Sequence, residues 1–426
     1  MAATELRYLV RTREAELALL GSAQRQQPAC ALALVSFNAH FRVLLQFFLS
    51  IGANVVDPGA CSLLVLVSTP SETAELRRLL GAPAHASQLA AVLPQLTVVD
   101  FPAVFARLSP KASSSLPSAK NVGPLGRLYV CAKKAYAARY AHEVLGAAHA
   151  IVTDSEAYVW KEFSMARLFA DAAVRPTVWY SDAPFHAKVR RERESAPAPV
   201  DATWCSQHVY GDMRGATRGA VRTRSPSPTA KYFESMLFYY PRDAFREYWA
   251  AVERAWGGKP WYDAIVAAHE AEPRCVPVGF WMEVSWHLFM YEFHRPRVEF
   301  RNVTAAIEAA FGTAFVRANS YVHARLELLW RAVNNDTIPA FRRFYEAAPL
   351  QLFRFEFRLR GNCLPLRLLA ELPPPVASLQ ANSAVPNWIF SGACDRELAR
   401  MPTLARRSAN GSSGSGLPWV AHSTKT

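Results

Sequence analysis

"AHAIVTDSEAYVW", residues 148–160, is an apolar run that stops on two carboxylates one residue apart, Asp154 and Glu156. The run reads as a strand buried on both faces, and the carboxylates stand at its exit. Two carboxylates at i and i+2 on an extended segment can both approach one hard cation, above all one that already carries phosphate oxygens. Taken alone, such a pair is also what the solvated acidic end of any strand looks like. The segments around it decide between the two.

Upstream the same pattern recurs. "ACALALVSFN" (29–38) is a continuous apolar run ending in polar residues, and "AHFRVLLQFFLSIGA" (39–53) follows with helical character. "SLLVLVSTPSETAELRRLL" (62–80) repeats the unit as a strand over 62–68, a Thr-Pro turn and a helix opened by Ser71 as its N-cap. "PQLTVVDF" (94–101) is a third strand, and "ASSSLPSAKNVGPLG" (112–126) a loop of small residues. A helix from about Arg127 to Gly146 then leads into the strand "HAIVTD", the fourth of the series. Strands alternating with helices predict an α/β protein with a mostly parallel sheet and helices on both faces. In such open sheets ligands sit beyond the carboxyl ends of the strands, where Asp154 and Glu156 lie.

Downstream, "PTVWYSDAPF" (176–185) reads as a fifth strand. "KYFESMLFYYPRDAFREYWAAVERAW" (231–256) reads as an aromatic strand, a stop at Pro241 and an amphipathic helix. "VPVGFWMEVSWHLFMYEF" (276–293) is an apolar helix or strand with Glu283 embedded in it, and helical periodicity dominates from Val303 to about Ala348. "LFRFEFRLR" (352–360) alternates as a half-buried strand, and "RRSANGSSGSG" (406–416) is a flexible linker. The expected division is an N-terminal helical segment (1–28), a main domain (29–300), a mostly helical extension (301–405) and a flexible tail (406–426).

A hydrophobic content of 51% with 19% charged residues describes a folded globular chain, so disorder is excluded as its general state. The net charge of +13 suits an anionic partner; much of it lies between Lys188 and Lys231, a stretch with few aromatics and the character of a solvated basic loop. Seven scattered cysteines form no CxxC and no zinc spacing. Most read as buried thiols of a reducing compartment, with Cys363 and Cys394 a possible pair in an oxidising one. The N-terminus has no signal-peptide core, and the apolar stretch from Val43 to Ile51 is too short to span a bilayer. The sequons at Asn302, Asn335 and Asn410 decide nothing. The absence of a P-loop, a G-x-G-x-x-G turn, a G-x-S-x-G elbow and an H-E-x-x-H helix leaves ATPase, dehydrogenase, α/β-hydrolase and zincin readings without support.

The order of these elements resembles the GT-A (Rossmann-like) fold of nucleotide-sugar-dependent glycosyltransferases. Four stretches carry the likeness: "ALVSFN" (33–38), "CAKKAYAARYAHEVLGAAHAIVTDSE" (131–156), "YFESMLFYYPRDAF" (232–245) and "GFWMEVSW" (279–286). The second is similar to the helix and strand that deliver a D-x-D motif in that superfamily, with Glu156 in place of the second Asp. The third is similar to an F-N-S-G-V-M-L-x-x-P-x-x-x-F segment, matched at Ser235, Pro241 and Phe245 and departing at Glu234 and Met236. The likeness covers roughly residues 29–295.

The resemblance implies a metal-dependent enzyme that moves a sugar from a UDP- or GDP-sugar to a hydroxyl on a glycan or glycoprotein. It implies Mn²⁺ or Mg²⁺ on Asp154 and Glu156, with His287 a candidate further ligand or a core histidine. Ser155 would lie near the ribose, Ser36, Phe37 and Asn38 near the base, and Lys133 or Lys134 near the donor. Glu283 is the candidate general base, or a carboxylate that caps its helix or pairs with an arginine; Asp263 is the weaker alternative base. Two rival readings stay open: a catalytically silent carbohydrate-binding relative, favoured by the altered motif, and a basic nucleic-acid-binding protein, disfavoured because the basic stretch lacks aromatics. With no membrane anchor in the chain, the expected setting is the cytoplasm, or the Golgi or ER lumen if the chain is a fragment. The oligomeric state is left open.

Overall fold

The computed structural model describes residues 29–116, 126–155, 159, 162, 164–181, 232–234, 238–271, 282–318, 336–340 and 343. Its centre is a five-stranded sheet built from β1 (Cys30–Val35), β2 (Ser62–Val67), β3 (Leu96–Asp100), β4 (His149–Asp154) and β7 (Phe238–Pro241), in the order β3-β2-β1-β4-β7. The first four are parallel, and β7 runs antiparallel to β4 along the far edge. The expected α/β class, a mostly parallel sheet flanked by helices, is therefore what the chain adopts.

Alternation along each strand feeds two separate cores. From β1, Ala31, Ala33 and Val35 enter one core while Cys30, Leu32 and Leu34 enter the other; β2 divides Leu64 and Leu66 from Leu63, Val65 and Val67 in the same way. The second core is covered by α1 (Phe41–Asn54), α2 (Pro70–Leu80) and α5 (Met165–Val174). The first is covered by α3 (Phe101–Leu108), α4 (Gly126–Glu143), α6 (Arg242–Ala255), α7 (Trp261–Ala271) and α8 (Met282–Phe293). Ala132, Ala135, Ala137, Ala138 and Ala141 of α4 are all fully buried, so small side chains make up much of the surface this helix buries, beside the larger Tyr136.

The connections explain where a ligand can enter. β1, β2 and β3 are laid down in one direction through α1 and α2 on one face; the chain then crosses by α3 and α4 on the other face and places β4 on the opposite side of β1. The strand order thus reverses between β1 and β4, which is the topological switch point of the sheet.

Several local expectations are corrected. The N-cap of α2 is Thr69, not Ser71: Thr69 accepts from the Glu72 backbone, Glu72 answers to the Thr69 backbone, and Pro70 takes the first helical position. The strand at 176–185 is shorter, β5 (Thr177–Ser181), and belongs to a second sheet between β6 (Tyr232–Glu234, antiparallel) and β8 (Glu299–Asn302, parallel). The aromatic run 232–241 supplies two strands to two sheets, and β8, four half-buried residues, has no apolar signal to announce it. The segment at 276–293 resolves to helix over its described part, α8, and the helical region after Val303 begins with α9 (Val303–Phe311) and α10 (Thr313–Ala318). Cys30 and Cys61 are joined in a disulfide, so the reading of these two as thiols is overturned. They stand one residue ahead of the β1–β2 register pair Ala31–Ser62, with Cα atoms 4.9 Å apart. The strand at 352–360, the basic stretch 188–231 and the cysteines at 205, 275, 363 and 394 lie outside the described residues. Among the described residues no helix is long and apolar enough to cross a membrane.

Candidate functional site

At the carboxyl edge of the sheet, the last register pair between β1 and β4 sets Val35 beside Asp154. The two chain exits that follow, Ser36-Phe37-Asn38 and Ser155, are therefore neighbours at the switch point. Ser36 is 2% exposed; its N–H donates to the Leu66 carbonyl at 3.0 Å, and its hydroxyl oxygen has no hydrogen-bond partner among the described residues. Such an orphaned buried hydroxyl at a strand exit is costly unless a ligand or water completes it. Phe37 next to it leaves the sheet in extended conformation with 41% of its surface exposed.

Two charged side chains fasten these exits. Glu72 accepts from the Asn38 N–H with one oxygen (3.1 Å) and from the Ser68 and Thr69 N–H groups with the other (2.7 and 3.2 Å). It thereby ties the end of β1 to the end of β2 while serving as the third residue of the α2 capping box. From the opposite face, Lys133 of α4 donates to the Ser36 carbonyl (2.6 Å) and to Ser68 Oγ (3.0 Å). Burial pushes the Lys133 ammonium down to about 7, against the opposing pull of Glu72. Tyr129, one helical turn earlier, donates its hydroxyl to the Ser68 carbonyl at 3.3 Å.

Ser155, 1% exposed, shares a hydrogen bond of 3.1 Å with Nδ1 of His40, and the His40 ring lies 4.0 Å from that of Phe37. The exits of β1 and β4 are thus joined by side chains as well as by register. Asp154 closes β4. Glu156 lies outside the described residues. Among the described residues no group of three or more His, Cys, Asp or Glu side chains could hold a metal ion.

The remaining candidates are engaged in other ways. Lys134, the neighbour of Lys133, is directed to α8, where its Nζ lies 2.7 Å from Glu283 in a buried ion pair. Glu283 therefore pairs, as one expectation had it, though with a lysine. Asp263 of α7 accepts from the backbone of Ser113 (2.7 Å) and Ser114 (2.8 Å) and from the Ser113 hydroxyl (3.0 Å). Burial alone would raise its pKa, but these donors hold the carboxyl below its usual value. His287 is 2% exposed in the core, and burial lowers it to about 3, so it is neutral. The structure thus gathers Ser36, Phe37, Asn38, Lys133, Ser155 and the strand end at Asp154 at one place.

Two residues of this arrangement escape the sequence reading. Glu72 is legible as the third residue after Thr69 once Thr69 is recognised as the cap; His40 has no sequence signal, since its partner is 115 positions away.

No protein-family model and no curated protein matches the chain. Among solved structures, it is similar to the WbbM bifunctional glycosyltransferase in its apo form, at 12% identity over 64% of this chain and a TM-score of 0.32. The chain spans only 38% of that protein's length. It is likewise similar to core-mannan synthase A from Aspergillus fumigatus in a Mn/GDP form (12% identity, 64% of this chain and 72% of that one, TM-score 0.32). Mouse xyloside xylosyltransferase 1 in its apo form gives 11% identity, 70% and 95% coverage and a TM-score of 0.32.

Proposed function

We propose that the chain is a metal-dependent glycosyltransferase, moving a sugar from a UDP- or GDP-sugar to a hydroxyl acceptor on a glycan or glycoprotein. The observation that carries this reading is the convergence of the β1 and β4 exits at the switch point. There β4 ends at Asp154 and Ser155 follows, beside an orphaned buried hydroxyl and an exposed aromatic ring, the features that a nucleoside diphosphate would complete and cover.

In this reading Phe37 offers its face to the base, while Ser36 and Asn38 supply polar contacts and Ser155 lies near the ribose. Asp154 and Glu156 would hold Mn²⁺ or Mg²⁺, both of which prefer oxygen donors. When bound, the metal neutralises charge developing on the departing diphosphate. Lys133 holds the Ser36 and Ser68 exits in place, and an anionic ligand above them would favour its protonated form. For the acceptor's proton, Glu283 is the better candidate, with Lys134 as its described partner; Asp263 already accepts three hydrogen bonds and is the weaker base. The Cys30–Cys61 disulfide supports an oxidising compartment, such as the secretory lumen, over the cytoplasm.

Calorimetric titration with UDP and GDP, with and without Mn²⁺, tests the reading. The expected result is metal-enhanced binding of one nucleotide that the Asp154→Asn variant loses. Binding of neither nucleotide under any condition rejects it and favours a silent relative, and a salt-dependent affinity for DNA or RNA favours the nucleic-acid reading.

A further inference from the structure

We infer that Glu72 is a positioning residue for the base-binding end of the crevice, holding Phe37 in place through the backbone of Asn38; this rests on the glycosyltransferase reading above. The chain around Phe37 is fastened on both sides. Before it, the Ser36 N–H donates to the Leu66 carbonyl (3.0 Å) and the Ser36 carbonyl accepts from Lys133 (2.6 Å). After it, the Asn38 N–H donates to Glu72 (3.1 Å), and the Phe37 carbonyl accepts from the His40 N–H (2.9 Å). With these backbone groups engaged, what the exit of β1 offers a ligand is side chains, the orphaned Ser36 hydroxyl and the exposed Phe37 ring foremost. The bond to Glu72 reaches 34 positions along the chain to another element, α2, so it sets where the exit points relative to β2. A ring held in one place loses less freedom when it stacks on a base, which is how a backbone tie behind Phe37 strengthens binding in front of it.

Glu72 divides its two tasks between its two oxygens, so they can be separated. Oε2 accepts from the Ser68 and Thr69 N–H groups and closes the capping box of α2, while Oε1 accepts from the Asn38 N–H. Glutamine keeps one acceptor oxygen and puts an NH₂ group in place of the other. That oxygen meets two donors on the Ser68–Thr69 side and one on the Asn38 side. Glu72→Gln therefore keeps the cap, which takes Gln as well as Glu, and turns its NH₂ towards the Asn38 N–H, donor against donor. Thr69→Ala does the reverse: it removes the hydroxyl that accepts from the Glu72 N–H and leaves both carboxylate oxygens in place.

The two variants are compared with the wild type by calorimetric titration with UDP or GDP, whichever the wild type binds, in one buffer composition. Tm and the hydrogen exchange of segment 36–41, read by mass spectrometry, are measured alongside. The expected result is a crossed pattern. Glu72→Gln weakens nucleotide affinity about fivefold at unchanged stoichiometry, the size of one net hydrogen bond, and speeds exchange over 36–41. Thr69→Ala lowers Tm by about 2 °C and keeps the affinity and the exchange of the wild type. Wild-type affinity in Glu72→Gln overturns the positioning role, and affinity losses that follow Tm through both variants make Glu72 a helix cap only. Unchanged exchange over 36–41 in Glu72→Gln overturns it whatever the ligand does. If the wild type binds neither nucleotide while Glu72→Gln speeds the exchange, the tie stands but the glycosyltransferase reading has failed, and the positioning role falls with it.

Discussion

Lys133 and Lys134 are adjacent in sequence and serve different parts of the molecule. About 100° of helical rotation separates them, so one ammonium lies under the exits of β1 and β2 while the other crosses to α8. The sequence marks them as a pair of helix lysines and can do no more, because their partners are Ser36 and Ser68 in one case and Glu283 in the other. The Lys134–Glu283 pair lies in the interior, with side chains 9% and 11% exposed. Removing Glu283 takes from the buried Lys134 ammonium its carboxylate partner, so Glu283→Ala is expected to cost about 3 kcal/mol in urea unfolding, whereas the double variant Lys134→Met/Glu283→Leu recovers most of it. Equal losses in the single and double variants would show that the pairing does not control stability.

Among the elements, β1 and β2 carry the most weight, since they form the middle of the sheet, define one side of the crevice and are joined at their amino ends by Cys30 and Cys61. Their positions were legible because a strand buried on both faces is an uninterrupted apolar run. The bond between the cysteines was not legible, because a separation of 31 residues becomes proximity only when the strands pair. Closing a loop of that length removes unfolded-state entropy, and the Cys30→Ala/Cys61→Ala variant is expected to lose about 3 kcal/mol. Alkylation of denatured, unreduced protein should leave Cys30 and Cys61 unmodified; labelling of both would exclude the disulfide and remove the support for an oxidising compartment. The start of α2 shows a smaller failure of the same kind. Thr69 and Ser71 are both good caps by type, and the reciprocal bond between Thr69 and Glu72 decides between them. β5 was found but assigned to the series before it, since its partners β6 and β8 come from residues far along the chain.

At the scale of the whole molecule, the dense core on the α4 side governs the response to pH. His142 is buried at 3% exposure, its Nδ1 on the Ala147 carbonyl (2.9 Å) and its Nε2 without a partner among the described residues. Burial lowers it to about 4, outweighing the bond to Ala147, which acts in the opposite sense. His287 is lowered to about 3 by burial alone. Between the unfolded value of about 6.5 and these folded values, the unfolded chain binds protons that the folded chain refuses, so stability falls as pH drops through that window. Tm should therefore decline between pH 6.5 and 4.5, and His142→Asn, which retains a donor for Ala147 and does not titrate, should flatten the decline. An unchanged slope in that variant would assign the acid sensitivity to other groups.

The sequence by itself determined the class of the fold, the order and approximate positions of the first four strands and the place of Asp154 at the end of one of them. These follow from short-range pattern: the period of apolar residues, the turn residues between them, and the rule that ligands meet open sheets at the carboxyl ends of their strands. The tertiary structure alone decided which exits meet. The reversal of strand order between β1 and β4 brings Ser36 and Phe37 to Ser155, puts His40 between them and turns Glu72 and Lys133 into the fastenings of the crevice. Each of these contacts joins residues distant in sequence, and such contacts are fixed by how the elements pack, which no local pattern records.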